Sequence, residues 1–290
     1  MKGDHAELKL GPARGRGAVR NVKGRFEPTE VVPFDDGWGS VDPEPPPLAT
    51  TVTPEATKTI ITRNDSPDIH FDQSVNPYRG CEHGCVYCFA RPTHAYLNLS
   101  PGLDFESRII SKPKAAELLR AELRKPGYAC KPIVLGSNTD PYQPVENRLG
   151  ITRQILEVLL EFNNPVSIVT KSGGVLRDLD LIAPMAEAGR AAVFLSVTTL
   201  DRQLARTMEP RAATPERRLE TMTRLGEAGV PTGVLASPMI PALNDHELER
   251  ILDAAHAAGA TVASFLVLRL PHELKQLFTD WLEAHSPSRA

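Results

Sequence analysis

The chain has 290 residues, enough for one large domain or two modest ones, and its 33 Lys and Arg against 36 Asp and Glu give a formal net charge of −3 at pH 7. That balance is not typical of a protein that binds nucleic acid over its whole surface. No uninterrupted apolar run reaches the ~18 residues of a membrane span, and no apolar stretch follows the first charged residues as in a secretory signal. We therefore expect a cytoplasmic protein that does not enter a membrane.

Residues 1–57 are rich in Gly, Arg and Pro and show neither helical nor strand periodicity. We predict an extended, disordered N-terminal tail that drapes over the folded domain, in which "RFEPTEVVPF" is apolar enough to dock. A stretch without any acid carries six basic residues: Lys9, Arg14, Arg16, Arg20, Lys23 and Arg25. This arm is either a solvated tail or a non-specific contact to the phosphates of a nucleic acid.

Residues 58–290 form the predicted core domain, in which short β-branched runs alternate with amphipathic stretches of helical period. The predicted strands are "QSVNPYRG", "PIVLGS", "PVSIVTKS", "AAVFLSVTT", "TGVLASP" and "TVASFLVLRL", and the predicted helices lie near 112–125, 150–162, 175–188, 214–228, 245–258 and 272–285. Three of these helices end in Ala-Gly, where glycine can adopt a left-handed conformation.

The repeated strand–helix unit, with strands apolar enough to be buried on both faces, predicts an α/β fold. We favour a partial (βα)6 TIM-like barrel with parallel strands. A doubly wound sheet is the alternative.

Three of the four cysteines, Cys81, Cys85 and Cys88, fall within "NPYRGCEHGCVYCFARP". This loop follows the first predicted strand, and parallel barrels carry their chemistry at the carboxyl ends of their strands. Structural zinc is usually held by four protein ligands in two pairs, and the second pair is missing here. The spacing of His83 does not mark it as a ligand. Cys130 precedes the second strand, at the opposite end of the barrel, and we interpret it as a small buried apolar residue.

Three thiolates on a [4Fe–4S] cluster leave one iron open for a ligand that the protein does not supply. We therefore predict such a cluster on Cys81, Cys85 and Cys88. A non-catalytic module that binds zinc or an iron–sulfur cluster is the alternative.

The pattern C-x3-C-x-aromatic-C, here with Tyr87 before the third cysteine, resembles the signature of the radical S-adenosylmethionine (radical SAM) enzymes. The resemblance covers about residues 70 to 270, and "NPYRGCEHGCVYCFARP" and "GSNTDPYQPVE" look most like the branch related to spore photoproduct lyase. It implies that the open iron binds S-adenosylmethionine. Reductive cleavage would then give a 5′-deoxyadenosyl radical that takes a hydrogen atom from a substrate. It also implies a reducing partner such as a flavodoxin or a ferredoxin.

The resemblance further implies contacts to S-adenosylmethionine from the ends of successive strands. Tyr87 would lie against the adenine, with a core aromatic as the alternative interpretation. Lys171 would pair with the carboxylate of the cofactor, with a solvated surface lysine as the alternative. The other implied contacts are Thr139 at the amino group with Asp140 in support, Ser196 at the ribose or carboxylate, Ala236 at the adenine through its backbone, and Arg211 as a second cation. Charged residues elsewhere on the helices are expected to form solvated faces.

The sequence departs from the lyase in the loop after the second predicted strand. The lyase has a cysteine there that returns a hydrogen atom to the product radical, whereas Gly136-Ser137-Asn138-Thr139-Asp140 contains no thiol. A hydroxyl O–H bond is too strong for that role, so we do not expect thymine-dimer repair by the same route. The substrate is left open between a nucleic acid and a protein or small molecule. Related chains tend to continue further, so a shortened C-terminus is one interpretation of the ending "FTDWLEAHSPSRA".

Overall fold

The strands and helices are taken from a computed structural model that describes residues 13–29, 48–66, 69 and 71–289. The strands are β1 (Thr51–Pro54), β2 (Ile61–Arg63), β3 (Gln73–Val75), β4 (Tyr78–Arg79), β5 (Arg108–Ser111), β6 (Ile133–Leu135), β7 (Val166–Thr170), β8 (Ala191–Ser196), β9 (Thr232–Met239) and β10 (Val262–Val267). The α-helices are α1 (Leu103–Ser107), α2 (Ala115–Leu123), α3 (Glu146–Leu149), α4 (Ile151–Glu161), α5 (Leu179–Glu187), α6 (Arg202–Met208), α7 (Pro215–Glu227), α8 (Leu248–Ala257) and α9 (Leu274–His285).

The main sheet has seven strands in the order β10-β9-β8-β7-β6-β3-β2. Within this sheet, β3 and β6 to β10 pair in parallel, and β2 at one edge pairs antiparallel with β3. The order follows the sequence without the reversal that a doubly wound sheet requires, so the alternative fold is wrong. The parallel α/β architecture is confirmed, whereas closure into a barrel stays a prediction.

The helix signals act locally as the sequence predicts. The Oγ1 of Thr214 accepts a hydrogen bond of 3.3 Å from the backbone N–H of Arg217, which caps the start of α7. The three Ala-Gly endings place their glycines at positive φ: Gly189 at 69°, Gly229 at 74° and Gly259 at 95°. Each helix therefore ends in the left-handed turn that returns the chain to the next strand.

The first predicted strand, residues 73–80, is divided between two sheets. Residues Gln73–Val75 pair with β6 in the main sheet, while Tyr78–Arg79 pair antiparallel with β5 in a second sheet of order β1-β5-β4. Pro77 lies between the two pieces and has no N–H to donate to a strand partner, so the ladder breaks there. The strands β1, β2 and β5 were not predicted, because none of them contains more than two consecutive apolar residues.

The expectation that all six parallel strands are buried is wrong for β10. Val262, Phe265, Leu266 and Val267 are each more than half exposed. Within the described part of the chain β10 has a strand neighbour on one side only, β9, and so it forms an edge of the sheet.

A disordered tail does not describe residues 13–29, which contact the folded domain. Ala18 and Val22 are buried against Leu274 and Leu277 of α9. Arg20 pairs with Asp280, and Arg25 pairs with Glu273. The predicted disorder of residues 1–12 and 30–47 lies outside the described residues, and the boundary at residue 58 stays a prediction. None of the helices in the described ranges is long and apolar enough to cross a membrane.

Candidate functional site

The cysteine loop follows β4 at the edge of the main sheet where the parallel strands end. Cys81 and Cys85 are buried, and Cys88 is partly buried. Burial raises the pKa of the Cys81 thiol well above its usual value, and nearby Asp140, Cys85 and Cys88 raise it further. Cys88 packs against the apolar cluster that contains Cys81 and against the one that contains Cys85, so the three side chains share one small region.

The environment of Cys85 combines burial with cations. Burial raises the pKa of this thiol far above its usual value, whereas Lys171 and Arg218 act in the opposite direction. A thiolate must form before a metal binds, so these cations favour the form that a metal requires.

Among residues 13–29, 48–66, 69 and 71–289, no group of three or more His, Cys, Asp or Glu side chains is arranged to hold one metal ion. A cubane cluster instead takes each thiolate on a different iron, so its ligands need not converge on one point.

The prediction that Cys130 is buried was wrong. Its side chain is exposed because it lies in the surface loop between α2 and β6.

Gln143 fixes the backbone on both sides of Cys81. Its Nε2 donates to the carbonyl of Gly80 at 3.1 Å, and its Oε1 accepts from the N–H of Glu82 at 2.9 Å. Gln143 is fully buried. It lies within the quoted "GSNTDPYQPVE", but a glutamine gives no sequence signal for this role. The structure thus adds a residue that holds the loop without being a ligand.

Asp140 connects the loop after β6 to the end of β7. Its Oδ1 accepts from the hydroxyl of Thr170 at 2.7 Å, and its Oδ2 accepts from the N–H of Lys171 at 2.7 Å. Nδ1 of His83 lies 3.2 Å from Oδ2 of Asp140. Burial raises the pKa of Asp140, but His83 and these donors outweigh it and lower the pKa to about 2. Asp140 is therefore ionised at neutral pH and carries a negative charge beside the cysteine loop.

Thr139 is buried, and its hydroxyl donates to the carbonyl of Tyr78 at 3.1 Å. The loop around it is held by Asn76, whose Oδ1 accepts from the N–H of Asn138 at 3.0 Å. The structure therefore gives the Thr139 side chain a backbone partner, and its predicted contact to S-adenosylmethionine stays a prediction.

Tyr87 lies in the apolar cluster that contains Cys85, and its hydroxyl donates to the buried carboxylate of Glu209. Glu209 also pairs with Arg218 of α7, which donates to the carbonyl of Ser196 at 2.9 Å. Burial raises the pKa of Glu209 despite the opposing charge of Arg218. The expectation that charged helix residues are solvated is wrong for Arg218, because the side chains of Arg218 and its partner Glu209 are 1% and 0% exposed.

Lys171 and Arg211 are two of the remaining residues predicted to contact the cofactor. Lys171 follows β7, and its Nζ lies 5.7 Å from the centre of the Tyr87 ring. Arg211 pairs with Glu82 at 3.1 Å, and its N–H donates to the carbonyl of His83. The structure thus brings Lys171 and Arg211 to the cysteine loop.

Ser196 is the last residue of β8, Ala236 lies within the neighbouring strand β9, and both are buried. Their cofactor contacts, like those of the other predicted site residues, stay predictions.

A family model described as the Radical SAM superfamily matches residues 75–255. An uncharacterized protein of Mycobacterium tuberculosis is 39% identical over 219 residues, which are 75% of this chain and 64% of that protein. An uncharacterized protein of Methanocaldococcus jannaschii is 30% identical over 173 residues, covering 60% of this chain and 62% of that one. The chain therefore spans less than two thirds of the length of these relatives.

Solved structures of spore photoproduct lyase share the fold. A variant with a cysteine-to-serine substitution gives a TM-score of 0.58 at 14% identity, over 81% of this chain and 66% of that one. Another variant, with bound AdoMet and dinucleoside spore photoproduct, gives a TM-score of 0.56 at 15% identity, over 81% of this chain and 65% of that one. At such identities the likeness concerns the fold alone. The matched family model covers more than half of the sequence, and it includes the three-cysteine loop and the ends of the parallel strands: the chain belongs to the radical SAM superfamily.

Proposed function

We propose that this protein is a radical SAM enzyme whose Cys81, Cys85 and Cys88 hold a [4Fe–4S] cluster with one open iron. The observation that carries the proposal is the packing of the three cysteines together in one loop, in a chain of this superfamily. When bound, the cluster and S-adenosylmethionine would supply a 5′-deoxyadenosyl radical that abstracts hydrogen from the substrate. The protein binds and orients these groups and excludes water.

We assign the orientation of S-adenosylmethionine to residues that surround the cysteine loop. Lys171 is the proposed partner of its carboxylate, because this cation approaches both Cys85 and the face of Tyr87. Ser196 and Ala236 are proposed for the ribose and adenine, since β8 and β9 follow β7 in the parallel sheet. Thr139 is proposed for the amino end through its backbone, because its hydroxyl already has a partner.

A nucleic-acid substrate is the first choice within this proposal. It is supported by the shared fold with a lyase whose solved structure holds a dinucleoside. Arg16, Arg20 and Arg25 have partners within the chain, which weakens the basic arm as the phosphate contact. A protein or small-molecule substrate is the second choice. A flavodoxin or ferredoxin as electron donor and a cytoplasmic location complete the proposal, because the open cluster needs a reducing environment.

Anaerobic purification tests the cluster. We expect a brown protein with about four irons per chain, as a single [4Fe–4S] cluster requires. Reduction with dithionite in the presence of S-adenosylmethionine is then expected to release 5′-deoxyadenosine. A colourless protein with one zinc, or an iron-loaded protein that leaves S-adenosylmethionine intact, would contradict the proposal.

The choice of substrate is tested by binding to single-stranded oligonucleotides over a range of salt concentrations. A nucleic-acid substrate requires a linear fall of log affinity with log salt, because phosphate contacts release counterions. Absent or salt-independent binding would favour the protein or small-molecule alternative.

A further inference from the structure

We propose that the N-terminal segment, residues 13–29, is a positioning element of the cysteine loop, coupled to it through the buried pair Arg91–Glu106. The segment would fix the shape of the loop and shield it from water. The effect on the cluster rests on the proposed function. The coupling itself concerns only residues of this chain and can be measured without a metal.

The N-terminal segment touches the cysteine motif backbone to backbone. A Cβ atom added to Gly17 would lie 1.8 Å from the carbonyl oxygen of Gly84 and 3.4 Å from the N of Val86. Real Cβ atoms do not approach so closely, so this contact has room only for glycine. Gly84, between Cys81 and Cys85, is therefore covered directly by Gly17.

Glu106 binds the same part of the segment from α1. Its Oε2 accepts from the N–H of Gly17 at 2.9 Å, and its Oε1 accepts from the N–H of Ala18 at 2.8 Å. The carbonyl of Glu106 accepts from Nη1 of Arg16 at 2.7 Å. Three consecutive residues of the segment are thus held by one fully buried acid.

Arg91 carries this connection into the cysteine loop. Its Nη2 contacts Glu106 and also donates to the carbonyl of Gly84 at 3.0 Å, while its Nε donates to the carbonyl of Cys85 at 2.8 Å. Nη1 donates to the carbonyls of Pro101 and Gly102, so each of its three nitrogens donates to a partner. Both side chains of the pair are 0% exposed.

A buried pair of this kind has well-defined geometry, because an unpaired charge in the interior would be strongly unfavourable. Movement of Gly17 is therefore transmitted to Gly84 by contact, and to the carbonyl of Cys85 through Glu106 and Arg91. Hydrogen bonding and solvent exposure around the cysteines set the reduction potential of an iron–sulfur cluster. The N-terminal segment is thereby placed to tune the cluster without contributing a ligand.

The test compares the same substitution at two glycines of the segment. In Gly17→Ala the new Cβ must displace Gly84. In Gly24→Ala the nearest atom is Cβ of Ala95 at 3.4 Å, so the substitution fits without displacement. Hydrogen exchange of the apoprotein is followed by mass spectrometry on the peptide that contains residues 84–88. We expect about tenfold faster exchange in Gly17→Ala and no change in Gly24→Ala.

The second measurement uses the anaerobically reconstituted holoprotein. Gly17→Ala is expected to shift the midpoint potential and the EPR spectrum of the reduced cluster beyond the scatter of wild-type replicates, whereas Gly24→Ala is not. Wild-type values for Gly17→Ala in both measurements would overturn the inference. If the wild-type chain binds no iron, the proposed function fails while the exchange experiment still decides the coupling.

Glu106→Gln provides an independent variant in case Gly17→Ala does not fold. Limited trypsin cleavage within residues 13–29 reports release of the segment, and exchange at residues 84–88 reports the loop. The inference requires both to increase together. Faster cleavage with unchanged loop exchange would contradict it.

Discussion

The backbone N–H of Lys171 donates a hydrogen bond of 2.7 Å to Oδ2 of Asp140. One carboxylate thereby joins the loop after β6 to the end of β7. The same carboxylate lies close to His83 and to Cys81 in the cysteine loop. The position of the proposed cofactor-binding lysine therefore depends on an acid that comes from a different strand.

Asp140→Asn is expected to lower the free energy of unfolding of the apoprotein by about 1–3 kcal/mol, because it removes a buried charged acceptor from three donors, on Tyr142, Thr170 and Lys171. It is also expected to raise the KM for S-adenosylmethionine, since Lys171 loses its anchor. Urea unfolding and 5′-deoxyadenosine production measure the two effects. Asp180→Asn is the control, because Asp180 pairs with Arg153 on the surface and is 58% exposed, where ion pairs contribute little. Equal effects of the two substitutions would contradict this role of Asp140.

Cys85→Ala is expected to abolish both cluster binding and cleavage of S-adenosylmethionine, because the remaining two thiols cannot hold three irons of the cube. Iron content and the visible absorption of anaerobically purified protein measure the first effect. Cys130→Ala is the matched control. Its thiol is exposed and lies at the amino end of β6, so we expect wild-type iron content. Loss of iron in Cys130→Ala, or retention of iron in Cys85→Ala, would contradict the proposed set of cluster ligands.

Tyr87→Phe distinguishes a structural role of the Tyr87 hydroxyl from a cofactor contact of its ring. The substitution removes a donor to the buried Glu209, so the free energy of unfolding should fall by about 1–2 kcal/mol. The ring is retained, and so the affinity for S-adenosylmethionine should change less than twofold by equilibrium dialysis. Tyr96→Phe serves as the control, because the Tyr96 side chain is 67% exposed. A large loss of cofactor affinity in Tyr87→Phe with unchanged stability would assign the hydroxyl to the cofactor instead.

His94 makes the stability of the apoprotein depend on pH. Burial lowers the pKa of His94 from 6.5 to about 4 in the folded chain. The unfolded chain binds this proton at about pH 6.5, so the stabilisation is complete above that pH and is lost as the pH falls from 6.5 to 4. The loss amounts to about 3 kcal/mol, at 1.36 kcal/mol per unit of pKa.

Urea unfolding between about pH 7.5 and about pH 4.5 measures this dependence. His94→Gln should flatten the slope in that window, whereas His246→Gln, at an exposed position, should keep it. A wild-type slope in His94→Gln would assign the dependence to another group.

Local signals in the sequence predicted the parallel strands, six of the helices and the loop that carries three cysteines. The Ala-Gly endings and the Thr214 cap depend on hydrogen bonds between residues a few positions apart, and the structure confirms them. The spacing of Cys81, Cys85 and Cys88 is equally local. The parallel arrangement also followed from the sequence, because a repeated strand–helix unit leaves few topologies open.

Only the tertiary structure decided which polar residues support the loop. Gln143 is 62 residues beyond Cys81 in the chain, and Glu106 contacts Gly17 across 89 positions, so no periodicity links them. The burial of Arg91, Glu106, Glu209 and Arg218 was hidden for the same reason. A charged residue normally indicates a solvated face, and only a partner brought near by the fold makes its burial favourable.

β10 and Cys130 show the opposite case, in which residues that were predicted to be buried are exposed. An apolar strand and a cysteine both favour burial by composition, yet burial needs a neighbour that covers the residue. The amino-acid sequence thus determined the six parallel strands, six of the helices and the spacing of the three thiols, since those depend on short-range chemistry. The tertiary structure decided the partners and the burial of each side chain, since those depend on distances between residues that are far apart in the chain.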